Sequence, residues 1–445
     1  MTLERFLILA VLGLLVWLPV PGGSYAGWAT ALYVAAVGGL LLAWGMSLAL
    51  GHAQRHWRPL RHGGVMIVLL LLTQAWVGWQ LYTGSTENPG RSVEYAFTGL
   101  AHTGLFVLIL ALFTTRKRLN LLLGVLVAVG TLHAFYAAAL TLLPESGGAV
   151  SGTYQNRNHF AGYLEMTLAA GIGLLLALRD DRDFHWRDLA EWFIGPKARI
   201  RLALIIMVVA LVMTRSRMGN IAFFSSLIVM GGLFVLVTPK HRLRNGLILA
   251  SILAIDLLVI SHWFGLEALQ QRLAETQLRD RIELVEGADG IARQTVVARS
   301  NIIRDDLNVY LRRQIEARPW IGYGAGSFET TFQRYPGRDV PGRANDAHND
   351  YGQFVIEFGL IGVLPLAGFV GLAFWRGLQP VLRRRSLYRS GVGLGACIGI
   401  LSLMIHSATD SNLQMPANAA LFITLAAVAA LAQSHALPLS SDHKN

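Results

Sequence analysis

The stretch Asn345-Asp346-Ala347-His348-Asn349-Asp350-Tyr351 opens almost at once into an apolar run at 354–375. It also closes the one long polar segment of the chain, at 264–350, so it marks a seam between water and an apolar phase. Working outward, apolar runs recur at 6–20, 28–50, 64–83, 95–113, 120–143, 160–178, 202–214, 218–237, 246–263, 391–408 and 417–433. A helix of about 20 apolar residues crosses the ~30 Å hydrocarbon layer of a bilayer. The reading is an all-α polytopic membrane protein of about twelve spans, interrupted by one large, mainly helical insert. It divides into spans 1–9 over residues 1–263, the insert with its histidine over 264–350, spans 10–12 over 351–434 and a tail at 435–445.

Composition agrees. The 445 residues are 53% hydrophobic and 15% charged, against about 25% charged in an average soluble protein. The net charge of +11 then serves orientation and is not the footprint of a nucleic-acid partner. The single cysteine, Cys397, lies in an apolar run, so an intramolecular disulfide or thiolate metal site is excluded.

Alternate connections are basic: Arg55 to Arg61, Arg116 to Arg118, Arg179 to Arg199, Lys240 to Arg244, and Arg376 to Arg389. The intervening short loops are almost bare of lysine and arginine. The positive-inside rule puts the basic set and both termini in the cytoplasm and the insert outside. Within the insert, twelve arginines face thirteen acids, a balance compatible with a long translocated loop. The part from Leu266 to about Ala317 has few breakers and reads as helices lying over the membrane.

On this map the unexpected polar residues gather at the outward ends of spans. Arg215 and Arg217 are the clearest case. Only thirteen residues, Leu202–Thr214, separate Arg215 from Arg201, which is about 20 Å of helix. Both arginines then lie below the outer headgroups, where a cation is costly without an anion to hold. They grip an anionic group such as a lipid diphosphate, or they pair with acids of the insert or with phospholipid headgroups. Arg157, with Asn156 and Asn158 in Ser151-Gly-Thr-Tyr-Gln-Asn-Arg-Asn-His-Phe160, is a further phosphate or sugar contact, or part of a helix-capping cluster. His348 suits a general base, with Asp346 or Asp350 to orient its ring; a helix cap and a metal ligand are the alternatives. No set of histidines and carboxylates shows metal-ligand spacing, so no metal or other cofactor is expected. His406 and Asp410, four apart, share a helical face if the helix continues, and offer support or an acceptor contact. Pro319-Trp-Ile-Gly-Tyr-Gly-Ala-Gly-Ser327 is a plain loop or a ligand cradle, and its spacing is not a dinucleotide fingerprint.

The Asn156-Arg-Asn-His-Phe-Ala-Gly162 start of a span, Ser216-Arg217, Arg318-Pro-Trp-Ile-Gly-Tyr-Gly324, His348-Asn349 and His406-Ser to Pro416-Ala-Asn418 follow one another in an order and spacing that resembles a known family. From about Ser151 the chain is similar to the O-antigen ligase and polymerase superfamily of bacterial envelope glycosyltransferases. That resemblance implies the GT-C-like architecture of integral-membrane sugar transferases and an inverting, metal-independent reaction at the periplasmic face of the inner membrane. The donor would be a glycan on undecaprenyl diphosphate. Its diphosphate would be held by Arg215 or Arg217, with Arg157 and Arg318, and His348 would be the base. The acceptor would be lipid A core for a ligase, favoured by the family name, or a second lipid-linked glycan for a polymerase. Related members use protein. Asn349 and Asp350 would support the histidine. An organic-anion transporter is the rival class, but no two halves of the chain resemble each other as transporter repeats do.

Overall fold

The computed structural model describes residues 3–51, 57–141, 150–178, 195–238, 281–286, 292–298, 303–334, 345–384 and 386–434, with isolated positions 242, 246 and 250. In chain order the first helices are α1 (Leu3–Trp17), α2 (Gly27–Ala49), α3 (Trp57–Tyr82), α4 (Pro89–Leu112), α5 (Arg116–Leu140), α6 (Arg157–Ala177), α7 (Pro196–Met213) and α8 (Arg217–Val237). A hairpin of β1 (Arg281–Glu286) and β2 (Ala292–Ala298) follows, then α9 (Ile303–Ala317), α10 (Phe328–Phe332), α11 (Asp350–Arg383), α12 (Leu387–Ser407) and α13 (Pro416–Ser434).

Among the described residues, nine helices are long and apolar enough to cross a membrane: α2 to α6, α8 and α11 to α13. The protein is a polytopic membrane protein. The first apolar run folds as the 15-residue α1, and the run at 202–214 is the end of α7, which carries Lys197, Arg199 and Arg201 in its first turns. The run at 246–263 and the tail at 435–445 lie outside the described residues, apart from the isolated position 250.

Local sequence sets the helix starts. Asn88, Thr115, Ser216 and Asn349 cap α4, α5, α8 and α11 by accepting a backbone N–H of the first turn, which satisfies donors that a helix start leaves orphaned. The centre of the bundle is α6, α12 and α13, almost wholly enclosed. Between α6 and α12 the backbones touch: a Cβ on Gly395 would lie 2.6 Å from the Ala169 carbonyl oxygen, and one on Gly173 would lie 2.9 Å from the Gly395 Cα. Small residues make this approach possible, as they do in lipid-embedded bundles. The outer helices turn apolar side chains outward, with Leu42, Met46, Leu132 and Leu364 all at least 65% exposed, a surface that lipid tails cover.

The insert departs from expectation. Its first part was expected to be helical, but Arg281–Glu286 and Ala292–Ala298 pair as an antiparallel hairpin. The reason is local: Ile282, Leu284, Thr295, Val296 and Val297 favour strands, and Gly287-Ala-Asp-Gly290 between them is turn chemistry. Only α9 and the short α10 are helical among the described residues of the insert.

Candidate active site

The seam residues fold as a tight turn ahead of α11. Asn349 caps the helix through Gly352 N–H at 3.1 Å, and Gln353 Oε1 reaches back to accept Ala347 N–H at 3.0 Å. These bonds hold His348 at φ 48, a left-handed conformation that non-glycine residues adopt at some cost. Arg215 is held in the same region at φ 55, between the end of α7 and the Ser216 cap of α8. Two of the four described non-glycine residues with positive φ are therefore residues singled out from sequence.

The ring of His348 meets Asp410, and so does that of His159. Asp410 Oδ1 lies 3.4 Å from His348 Nδ1 and 3.5 Å from His159 Nε2, and it accepts Ser411 N–H at 3.0 Å. Asp410 and His159 are buried, whereas the His348 side chain is 37% exposed, so the histidine is open to a substrate on one side and to a fixed anion on the other. Asp346 completes the group. Burial pushes its carboxyl above the usual aspartate range, while His159 and His348 pull it down. The floor is tied by Asn418, whose Nδ2 donates to His159 O at 2.9 Å and to Asn412 Oδ1 at 3.1 Å. Tyr154 donates to the Asn418 oxygen at 3.1 Å.

Arg157, at the first position of α6, and Arg215 and Arg217, flanking the Ser216 cap, are exposed. Among the described residues none of the three has a carboxylate partner. Asn156 caps α6 through Asn158 N–H at 2.9 Å, so the capping reading holds for the Asn156 side chain. Below the turn, Glu165 and His406 are fully buried with Glu165 Oε1 2.7 Å from His406 Nδ1, and Ser402 donates to Glu165 Oε2 at 2.6 Å.

The family model described as O-Antigen ligase matches residues 202–367. Over that range, a little more than a third of the chain, the sequence is similar to the O-antigen ligase family. No curated protein matches the chain. The family implies glycosyltransferase-like activity in O-antigen processing and lipid-linked glycan substrates. The matched range includes Arg215, Arg217 and His348. Arg157, His159 and Asp410 come from outside it, on α6 and on the loop between α12 and α13.

Several sequence expectations meet a different geometry in and around the matched range. Asp350 does not orient His348: its Oδ2 accepts Ser407 Oγ–H at 2.7 Å and Leu413 N–H at 3.0 Å, and Gln414 donates to Oδ1 at 3.3 Å. It therefore fixes the loop that carries Asp410. His406 and Asp410 share no helical face, because α12 ends at Ser407 and His406 turns to Glu165. Arg318 pairs with Glu87 at 3.0 Å and lies 4.7 Å from the Tyr323 ring centroid, so its guanidinium already has partners. Arg334 and Arg318 together hold the Glu87 carboxyl below the usual glutamate range, chiefly through the Arg334 hydrogen bond.

The glycine segment is a clamp. α11 breaks at Gly359, φ 65 and ψ 173, and the segment lies against that break. Tyr323 N–H donates to Ile356 O at 2.8 Å, Gly324 N–H to Glu357 O at 2.9 Å, and Leu360 N–H to Pro319 O at 2.8 Å. A side chain on Gly322 would strike the Gly359 nitrogen, 2.5 Å from its Cβ. The glycines serve backbone approach to α11, and the α11 carbonyls freed by the break are satisfied by the clamp and by Gln80 Nε2, which donates to Glu357 O at 2.9 Å.

Beside the histidine opens a cleft of about 1000 Å³ between α2, α3, α4, α11, α12 and α13, walled largely by apolar side chains. At its polar end stand Tyr25, Arg91, Tyr95, Tyr351 and Gln414. Burial, then the Asp346 charge, pushes the Tyr25 hydroxyl above the usual tyrosine range, and Asp350 and Tyr351, shortly after His348 in the chain, line the cleft. Neither the cleft nor a role for His159 follows from the sequence reading. For His159 the signal was present in its place beside Arg157.

Proposed function

We propose that the protein moves a glycan from undecaprenyl diphosphate to an acceptor hydroxyl at the periplasmic face of the bacterial inner membrane, with both termini cytoplasmic. The observation that carries this reading is His348, half-open, left-handed and set against the buried Asp410 at the membrane seam. With Nδ1–H donated to Asp410, Nε2 is the free acceptor. The acceptor hydroxyl gives its proton to Nε2 as its oxygen attacks the anomeric carbon from the face opposite the diphosphate. The bond from that carbon to the diphosphate oxygen breaks and its electron pair leaves with the diphosphate, so the configuration inverts. Asp410 stabilises the imidazolium that forms.

Leaving-group charge needs fixed cations. Arg157, Arg215 and Arg217 supply them, with no metal ion required of the residues present. A transfer between two lipid-linked molecules needs room for two apolar chains. Arg157 starts α6 and Arg215 and Arg217 flank the turn into α8, whereas the cleft is bordered by α2, α3, α4, α11, α12 and α13 and by neither of those helices, so the headgroup site and the chain site would be separate. Lipid A core is the acceptor we favour, as in a ligase; a second lipid-linked glycan would make the protein a polymerase.

The test is reconstitution in vesicles with undecaprenyl-diphosphate glycan and, in separate arms, lipid A core, more donor, or a protein acceptor. Transfer to lipid A core establishes the ligase, and a glycan ladder without it establishes the polymerase. Absence of product in every arm from folded protein would sink the transferase reading.

A further inference from the structure

A second concentration of charge lies at the end of the bundle away from His348. A cavity of about 340 Å³ opens where α3, α11, α12 and α13 end, and Arg376, Arg383, Arg389, His62, Ser386 and Gln433 are in its wall. Among the described residues no acidic side chain lines it. Among the described residues Arg376 and Arg383 have no carboxylate partner; Arg376 donates to Gln433 Oε1, which aims its guanidinium across the opening. A fourth arginine, Arg116, adds like charge beside Arg389. Topology accounts for basic residues at one end of a membrane protein, but gives no reason for three to converge on one hollow. An anion between Arg376 and Arg383 would lower the energy of holding these two like charges at one opening.

We propose that this pocket binds the phosphate headgroup of an anionic phospholipid. Guanidinium forks match phosphate oxygens, and basic pockets between membrane helices are suited to phospholipid headgroups. Its place also favours a lipid over a free anion. On α11, Trp375 and Leu382 adjoin Arg376 and Arg383 in sequence and are 49% and 40% exposed, so an acyl chain has apolar surface to follow from the headgroup. Ser386 caps α12, and its first-turn amides add partial positive charge at the same opening. The bound lipid would stitch α11 to α12 and α13, the helices that carry His348 and the Asp410 loop at their other ends.

The experiment is native mass spectrometry of the delipidated full chain with phosphatidylglycerol, phosphatidylcholine or glycerol phosphate. We expect one phosphatidylglycerol retained per chain, at least ~10-fold preferred over phosphatidylcholine, with retention lost on the Arg383→Gln/Arg389→Gln double change. Arg383→Gln alone, at an exposed side chain that leaves the fold intact, weakens retention, while Lys117→Gln, at an exposed position of the same end, does not. Equal retention of phosphatidylcholine, unchanged binding in both arginine variants, or glycerol phosphate binding as tightly as the lipid would overturn the proposal.

Discussion

His348 and Arg215 are held in a backbone conformation that side chains resist, at a cost of about 1–2 kcal/mol each, and the neighbouring caps and hydrogen bonds absorb it. The carboxylate that faces His348 is Asp410, so Asp410→Asn is the sharpest residue test. The amide oxygen can still accept Ser411 N–H, so the fold survives. We expect turnover to fall by about 10²-fold or more while the KM for donor stays put, which a merely structural residue would not do. Replacing Arg215 and Arg217 together by alanine should instead raise the donor KM by about 10–100-fold, the worth of a charged hydrogen bond or two. Asp346 gives a pH test. Its native pKa is raised by burial, so its ionised form weakens the fold at neutral pH, and that cost disappears as pH falls through the native value to below the unfolded one. Asp346→Asn should therefore melt higher than the parent at neutral pH and level with it in acid, followed by fluorescence-detected unfolding.

At the level of elements, apolar length and capping residues were legible because each is written in consecutive positions. The starts at Arg157, Arg217 and Asp350 follow Asn156, Ser216 and Asn349 directly. The hairpin at 281–298 was missed because its charges at helical spacing masked an alternation of period two. The break in α11 was hidden because Gly359 sits inside a run that is apolar but for Glu357, and what stabilises the break is a segment some thirty-five residues upstream. The partnership of 159, 348 and 410 was equally out of reach: proximity across 62 residues and more leaves no periodic mark. Gly359→Ala tests the clamp. Its Cβ would run into the Trp320 carbonyl at a left-handed φ, so melting should drop by several degrees, whereas Gly371→Ala, with open space around it, should change little and serves as the control.

For the whole molecule, the account requires the His348 end and the Arg383 end to face opposite compartments. Cys397 is fully buried, so single introduced cysteines can be read without removing it. Arg334→Cys in intact spheroplasts should react with a membrane-impermeant maleimide, and Arg383→Cys should react only after permeabilisation; the reverse pattern would invert the topology and put the site on the wrong face. The measurement that bears most directly on the central claim is glycan transfer from undecaprenyl diphosphate by vesicle-reconstituted protein in the presence of a chelator, comparing the parent with His348→Ala. The account predicts product from the parent and a loss of about 10²-fold or more in the variant. Undiminished transfer by His348→Ala would contradict it.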